Sequence, residues 1–259
     1  MKLSISLAQI SIRFGAVATN YDRARSMILS AHEQGSQLIL FPELWTSGYD
    51  LKNAHVHAVE NLTMLDLLAA EAAERQIYIG GSYLLEQQGD IYNTFVLIAP
   101  DGARWQYHKI HLFRLMDEQR WLKPGNQPAI ADLGAAMAGL AICYDLRFPE
   151  LFRQYALGGV DCILLPAEWP AKRSNHWKIL LRARAIENQV FMAAVNTVGV
   201  IDGVDFAGCS AIISPWGETI VEGTEHQEQV LTSVIDLDEI PQVRARIPIL
   251  ADRRPDIYG

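Results

Sequence analysis

Short apolar stretches recur along the chain, each four to eight residues long and several of them rich in valine and isoleucine. Stretches of this length and composition are typical of buried β-strands. The pattern predicts strands at 3–10, 38–41, 77–84, 93–99, 139–142, 162–165, 190–196, 210–214 and 230–235.

Segments with helical spacing of apolar residues lie between several of these strands, at 20–34, 62–75 and 152–157. Gly35 and Gly158-Gly159 follow two of them, as glycine commonly does after a helix. This alternation predicts a layered α/β fold. Asp101-Gly102 and Pro215-Trp216-Gly217 favour tight turns between antiparallel strands, so we expect mixed sheets. With no Pro- or Gly-rich linker in view, we predict one domain over residues 1–259.

Composition narrows the class of function. Hydrophobic residues make up 50% of the 259, and the net charge is −8 with scattered Lys and Arg, which argues against a nucleic-acid partner. No apolar run reaches the ~20 residues of a membrane span, and the first residues alternate like a strand rather than a signal peptide. We therefore expect a cytoplasmic protein without a membrane partner. The 3 cysteines predict neither a disulfide framework nor a zinc site.

Two charged residues stand beside apolar segments. Glu43 follows the predicted strand 38–41, at the end of a strand where α/β sheets commonly build their sites, although such a carboxylate can also cap a helix. Lys109 lies in the aromatic and apolar segment 107–113, where it needs an acidic partner or ligand unless it reaches solvent. His108 and His111 have no third ligand at a useful spacing, so we expect no metal there.

Cys143 ends a strand of small apolar residues, and the chain then turns toward a helix. This arrangement is typical of a nucleophile elbow, in which the nucleophile is exposed and the next backbone N–H, that of Tyr144, faces the developing oxyanion. A thiol needs a base at neutral pH, and Glu43 is the candidate. Cys162 and Cys209 have the surroundings of ordinary buried strand cysteines.

Phe41-Pro42-Glu43, the segment 108–113 and the segment 143–150 occur in the order and approximate spacing of the nitrilase, or carbon–nitrogen hydrolase, superfamily. The resemblance continues through His176-Trp177, 182–188, 214–218 and the C-terminal segment. It implies a four-layer αββα sandwich of two mixed sheets and a homodimer or larger assembly. It also implies a Glu-Lys-Cys triad of Glu43, Lys109 and Cys143. Glu118 matches a second glutamate that helps to position substrate, unless it is a solvated loop carboxylate.

The resemblance implies a chemistry without cofactor or metal. Glu43 would take the thiol proton, Lys109 and the Tyr144 N–H would hold the oxyanion, and water would hydrolyse the acyl-thioester. True nitrilases have Trp-Glu after the nucleophile, whereas Tyr144-Asp145 follow Cys143 here. The form Cys-Tyr-Asp-Leu-Arg-Phe-Pro, with 167–173, looks most like ω-amidases acting on 2-oxo acid amides such as 2-oxoglutaramate.

Loops at 46–53 and 168–175 are expected to shape the pocket for this small-molecule substrate, because loops on a rigid scaffold carry specificity. Arg173 could bind a remote substrate carboxylate through its planar guanidinium, unless it is a solvated surface residue. Further candidates for substrate contact are Tyr49, Tyr144, Glu168 and Trp169.

Several alternatives remain open at this stage. An N-carbamoyl amine or amino-acid amidohydrolase, or a nitrilase, would use the same triad. A non-catalytic binding protein could keep the fold without turnover. Acyl or amido transfer to another acceptor would need an acceptor site or a second domain, and no second domain is apparent in the sequence.

Overall fold

In the computed structural model, which describes residues 1–258, the chain forms fourteen strands and seven α-helices, with short 3-10 turns between them. The strands are β1 (Lys2–Gln9), β2 (Leu38–Leu40), β3 (Tyr78–Gln87), β4 (Asp90–Ile98), β5 (Arg104–His108), β6 (Ala129–Asp132), β7 (Met137–Leu140), β8 (Cys162–Ala167), β9 (Phe191–Asn196), β10 (Val198–Ile201), β11 (Val204–Ala207), β12 (Ala211–Ile213), β13 (Thr219–Glu222) and β14 (Gln229–Asp236). The helices are α1 (Val17–Glu33), α2 (Ala54–Arg75), α3 (Glu118–Trp121), α4 (Pro149–Leu157), α5 (Ser174–Asn188), α6 (Glu239–Arg246) and α7 (Pro255–Tyr258).

Two six-stranded mixed sheets form the centre of the molecule. Their strand orders are β14-β1-β2-β3-β4-β5 and β13-β12-β9-β8-β7-β6, and β10 and β11 form a separate ribbon. In each sheet the central strands are parallel and the outer strands antiparallel. This arrangement confirms the predicted mixed sheets, with Asp101-Gly102 in the β4–β5 turn and Pro215-Trp216-Gly217 in the β12–β13 turn.

Side-chain alternation along β2 explains the layering. Leu38 and Leu40 point into the core shared by the two sheets, whereas Ile39 and the following Phe41 pack with residues of α1 and α2. Both faces of this strand are thus buried, as in parallel strands generally. On the other side of the molecule, α4 and α5 cover the second sheet through Phe152, Trp177 and their neighbours.

The nine predicted strands are all present, with ends that move by a few residues. The predicted helices are also present, although α2 begins at Ala54 rather than at residue 62. The sequence reading missed β5, β6, β10, β11 and β13, which are short and partly polar and receive their order from sheet neighbours. No helix formed by residues 1–258 is long and apolar enough to cross a bilayer.

Candidate active site

Glu43 lies just beyond the carboxyl end of β2, and its side chain is fully buried. Its Oε1 accepts hydrogen bonds from Lys109 Nζ at 2.7 Å and from Asn93 Nδ2 at 2.8 Å. Its Oε2 accepts one from the backbone N–H of Glu168 at 3.0 Å. Three donors from separate segments therefore fix this carboxylate, as a buried charge requires.

Lys109 follows β5 and lies between two carboxylates, with its side chain fully buried. Its Nζ is 2.7 Å from Glu118 Oε1, the same distance as from Glu43 Oε1. Burial alone would lower the pKa of Lys109, but the charges of Glu118 and Glu43 raise it above its ordinary value. The side chain is consequently an ammonium ion and does not reach solvent.

Glu118 is buried and is the first residue of the short helix α3. Its Oε1 also accepts a hydrogen bond from Tyr49 at 2.7 Å, and its Oε2 accepts one from the backbone N–H of Phe113 at 2.6 Å. Burial raises the pKa of Glu118, against the lowering effect of Lys109. Burial, followed by the charge of Glu118, raises the pKa of Tyr49, so its phenol remains a neutral donor. Glu118 is therefore part of a buried network and not a solvated loop residue.

Cys143 begins a 3-10 turn, residues Cys143–Arg147, that follows the end of β7. Its φ of +43° is unusual for a residue with a side chain and matches the strained geometry of a nucleophile elbow. The residue is only 6% exposed, so the expectation of an exposed nucleophile is wrong. The thiol lies at the base of a cleft, where burial and the charge of Glu43 raise its pKa well above the ordinary value. It needs a nearby base to become a thiolate.

Asp145 joins this turn to the segment that carries Lys109. Its Oδ2 accepts hydrogen bonds from the Ile142 N–H at 2.9 Å and the Tyr107 hydroxyl at 2.7 Å. His111 donates to its Oδ1 from the backbone N–H at 3.2 Å, and its ring Nδ1 lies 2.7 Å from the same oxygen. One fully buried carboxylate thus connects the ends of the two sheets around the thiol.

A narrow cleft opens above Cys143. Its walls include Phe113, Tyr144, Arg147, Glu168, Trp169, Pro170 and Arg173. The guanidinium of Arg147 lies 4.6 Å from the centre of the Trp169 ring, and that of Arg173 lies 5.3 Å from the centre of the Phe113 ring. Burial and the neighbouring charge of Arg173 lower the pKa of Arg147. Two like charges stacked on aromatic rings thus border one small cleft.

The structure brings most of the predicted site residues together. Tyr144, Glu168, Trp169 and Arg173 line the cleft above the thiol, and Tyr49 contacts Glu118 from below it. The predicted loop 168–175 therefore borders the cleft, and within the loop 46–53 Tyr49 reaches the buried carboxylates. Cys162 lies in β8 and is buried in the second sheet's core, as expected. Cys209 is also buried, but it precedes β12 with a φ of +54° and is therefore not a strand residue, contrary to expectation. All three cysteines are free.

Sequence reasoning missed Arg147 and Asn93, and it gave Asp145 no structural role. Arg147 stands four residues after Cys143, about one helical turn, which could have indicated a shared face. Asn93 begins the predicted strand 93–99, and a polar residue entering a buried strand needs a partner, which is the signal that could have indicated it. His108 and His111 have separate partners: the ring of His108 bonds Thr94 and Gln87, and that of His111 bonds Asp145.

Comparison with known proteins gives this geometry a context. Residues 4–245 match the family model described as carbon-nitrogen hydrolase. The 2-oxoglutaramate amidase of Bacillus subtilis (strain 168) is 39% identical over 261 residues, covering 100% of both chains. The omega-amidase NIT2 of Homo sapiens is 34% identical over 271 residues, covering 99% of this chain and 97% of its own.

A solved structure agrees with the fold. A variant of the amidase from Nesterenkonia sp. AN1, showing covalent addition of the acetamide moiety of fluoroacetamide at its active-site cysteine, superimposes with a TM-score of 0.89. It is 28% identical, and the alignment covers 99% of this chain and 95% of that one. The predicted fold class and the resemblance to amidases are thereby confirmed. The chain belongs to the carbon–nitrogen hydrolase family and is an enzyme of its amidase type.

Proposed function

We propose that the protein hydrolyses the terminal amide of a short 2-oxo dicarboxylic acid monoamide, such as 2-oxoglutaramate, to ammonia and the dicarboxylate. The observation that carries the proposal is a thiol beside a buried carboxylate–ammonium network, at the base of a cleft bordered by two guanidinium groups. Relatives of matching length named 2-oxoglutaramate amidase and omega-amidase support the same substrate class.

In the proposed mechanism, Glu43 accepts the proton of Cys143 and the thiolate attacks the amide carbon. Lys109 and the Tyr144 N–H stabilise the tetrahedral oxyanion, and protonated Glu43 then donates its proton to the departing ammonia. Glu43 next activates a water molecule that hydrolyses the acyl-thioester and frees the thiol. The hydrogen bonds at Glu43 support this role, since they leave the carboxylate fixed beside the thiol.

Glu118 and Tyr49 are proposed to orient Lys109 and the bound amide from the opposite side of the network. The 2.7 Å contacts of Glu118 with Lys109 and with Tyr49 support this assignment. Trp169 is proposed to form a wall of the cleft. Its ring supports Arg147, and its backbone N–H is fixed by Asn196 at 2.7 Å.

Arg147 and Arg173 are proposed to bind the substrate carboxylate remote from the amide. Neither guanidinium forms an ion pair with a carboxylate of residues 1–258, and their mutual repulsion favours an anion between them. These arginines therefore favour an acid amide over an uncharged amide of the same length.

Ammonia release tests the proposal directly. We would compare 2-oxoglutaramate, glutamine, an N-carbamoyl amino acid, an aliphatic nitrile and an uncharged primary amide, using wild type and Cys143→Ala. The expected result is fastest release from 2-oxoglutaramate, abolished in the variant. Preference for the carbamoyl compound or the nitrile would overturn the substrate assignment, and ammonia release by folded Cys143→Ala would overturn the nucleophile.

The arginine assignment has its own test. Arg147→Gln and Arg173→Gln should each raise KM for 2-oxoglutaramate ~10–100-fold, the worth of a charge-assisted hydrogen bond, and should leave KM for the uncharged amide unchanged. Arg182→Gln is the matched control, because Arg182 bonds Thr219 at the surface. An unchanged KM for 2-oxoglutaramate in both cleft variants would remove the arginines from substrate binding.

We also propose that the chain works as a single domain, in the cytoplasm, as a homodimer or larger assembly. Three free thiols are compatible with a reducing compartment. Exposed apolar side chains on α5 and near the C-terminus, such as Ile179, Ile186 and Ile247, support an assembly of copies. Light scattering coupled to size-exclusion chromatography tests this, and a monomeric mass at micromolar concentration would contradict it.

A further inference from the structure

Glu168 is a buried carboxyl group whose side chain lacks the partners that the other site carboxylates have. The residue is 2% exposed and belongs to the loop that begins directly after β8. Its backbone is fixed at the thiol: the N–H donates to Glu43 Oε2, and the carbonyl oxygen lies 3.9 Å from Cys143 Sγ. Its enclosed side-chain oxygen Oε1, however, has no hydrogen-bond partner within residues 1–258. A buried polar atom without a partner needs an explanation.

The charges around Glu168 do not compensate an ionised carboxylate. The charge of Lys109 lowers the pKa of Glu168, but the two 2.7 Å contacts of Lys109 are with Glu43 and Glu118. Burial raises the pKa of Glu168 well above its ordinary value, and the negative charge of Glu43 adds to this. The titratable and charged groups that interact with it electrostatically or line the same cleft are Glu43, Tyr49, Lys109, Glu118, Cys143, Tyr144, Arg147 and Arg173.

A neutral carboxylic acid differs from a carboxylate in one decisive property. It carries an O–H donor, whereas the ionised group can only accept hydrogen bonds. A 2-oxo acid amide carries a keto oxygen and an amide oxygen, and both accept hydrogen bonds from donors. An ionised Glu168 would instead add a negative charge beside an anionic substrate. The buried position and the chemistry of the substrate thus favour the same state of Glu168.

We propose that Glu168 recognises substrate as a neutral carboxylic acid, donating its O–H to a carbonyl oxygen of the bound amide. The inference rests on the proposed substrate class and adds a specificity determinant that acts through its proton. The two arginines, and not Glu168, bind the anionic end of the substrate. Glu168 also disfavours substrates that present an ammonium group at this position, because a neutral acid lacks the negative charge that would pair with it.

Difference infrared spectroscopy of substrate-free protein tests the protonation state without any turnover. Wild type minus Glu168→Gln, at neutral pH, should show the carbonyl stretch of a protonated carboxylic acid, shifted by exchange into deuterium oxide. The subtraction isolates Glu168 from Glu118, which both proteins retain. A carboxylate band in its place would overturn the inference. This result is independent of which amide the enzyme hydrolyses, so it can fail while the proposed function stands.

Kinetics test the donor role. Glu168→Leu should lower kcat/KM for 2-oxoglutaramate about tenfold, the worth of one hydrogen bond, and Glu168→Gln should recover most of that loss because its amide is a neutral donor. In wild type, kcat/KM should fall at alkaline pH as Glu168 ionises, and this limb should be absent in Glu168→Gln. A Glu168→Gln variant as slow as Glu168→Leu would contradict the donor role. A large drop in its KM for the anionic substrate would show that Glu168 is ionised.

Discussion

Replacing Lys109 by methionine separates its structural contribution from its catalytic one. Lys109 Nζ lies 2.7 Å from a carboxylate oxygen of Glu43 and 2.7 Å from one of Glu118, and all three side chains are fully buried. Methionine fills much of the same volume but leaves two carboxyl groups facing each other without a cation. Removing one partner of a buried ion pair typically costs about 3–5 kcal/mol.

The expected loss of stability lies near the lower limit of that range. Burial already raises the pKa of Glu118, so this carboxyl group takes up a proton when Lys109 is absent and relieves part of the repulsion. We expect Lys109→Met to lower the free energy of unfolding by about 3 kcal/mol, which corresponds to ~6–12 °C in Tm for a chain of this size. Urea titration at fixed protein concentration measures the difference.

The loss of activity should be much larger than stability alone explains. If Lys109 stabilises the oxyanion, its removal lowers kcat ~10²–10³-fold under conditions in which the variant is fully folded. The double variant Lys109→Met/Glu118→Gln removes one of the two facing carboxyl groups. It should therefore recover part of the lost stability and none of the lost turnover.

Two outcomes would refute this reasoning. If Lys109→Met lost less than about 1 kcal/mol of stability, Lys109 would not compensate the buried charges of Glu43 and Glu118 as the 2.7 Å distances indicate. If folded Lys109→Met kept kcat within a few-fold of wild type, Lys109 would have no part in oxyanion stabilisation.

Three further predictions concern other buried groups of the site. Asp145→Asn should lower kcat ~10²-fold with little change in KM, because the amide nitrogen cannot accept the hydrogen bonds that hold the turn of Cys143. Tyr107→Phe removes only one of these hydrogen bonds and should have a smaller effect in the same assay. Cys143→Gly and Cys143→Ala are both expected to be inactive. The glycine variant should be about 1 kcal/mol more stable to urea than the alanine variant, although glycine is usually the less stable choice, because φ at this position is +43°. An alanine variant of greater stability would contradict backbone strain at Cys143. Because the pKa of Glu168 is raised in the folded state, its stabilising contribution is complete below the ordinary value of 4.5 and is lost as pH rises through the folded pKa. The urea midpoint of Glu168→Gln should accordingly rise relative to that of wild type as pH increases above 4.5 toward the folded pKa, and parallel profiles would contradict a raised pKa of Glu168.

The core strands could be predicted from sequence because their burial is local information. Continuous apolar runs such as 38–41 and 162–165 are buried on both faces, so their composition alone indicates strands. β5 and β13 could not be found in this way, since they are partly exposed and paired at or near sheet edges. Their strand conformation depends on hydrogen bonds to neighbours that are distant in the sequence.

The residues of the site also differ in how clearly the local sequence indicates them. Glu43 and Cys143 stand at the ends of apolar segments and Lys109 lies within one, so their charged or reactive groups are conspicuous in the sequence. Asn93 and Arg147 have ordinary local surroundings, and their importance depends on contacts such as Asn93 with Glu43, fifty residues away in the chain. The burial of Cys143 also follows from packing by distant segments, which is why an exposed thiol was expected and a buried one is found.

Three buried glutamates lie around one thiol and one buried ammonium ion, and their neighbours give them different chemistry. Glu43 receives three hydrogen bonds and lies beside Cys143, which suits a base. Glu118 accepts hydrogen bonds from Lys109, Tyr49 and a backbone N–H, which suits a group that orients Lys109. The Oε1 atom of Glu168 has no hydrogen-bond partner within residues 1–258, which suits a neutral carboxylic acid that donates to substrate. Acid and base roles can be assigned where the environments of neighbouring titratable groups shift their pKa values in different directions. One cation cannot neutralise three carboxylates, and Lys109 contacts Glu43 and Glu118. Glu168 therefore keeps its proton, which becomes available for recognition of the substrate.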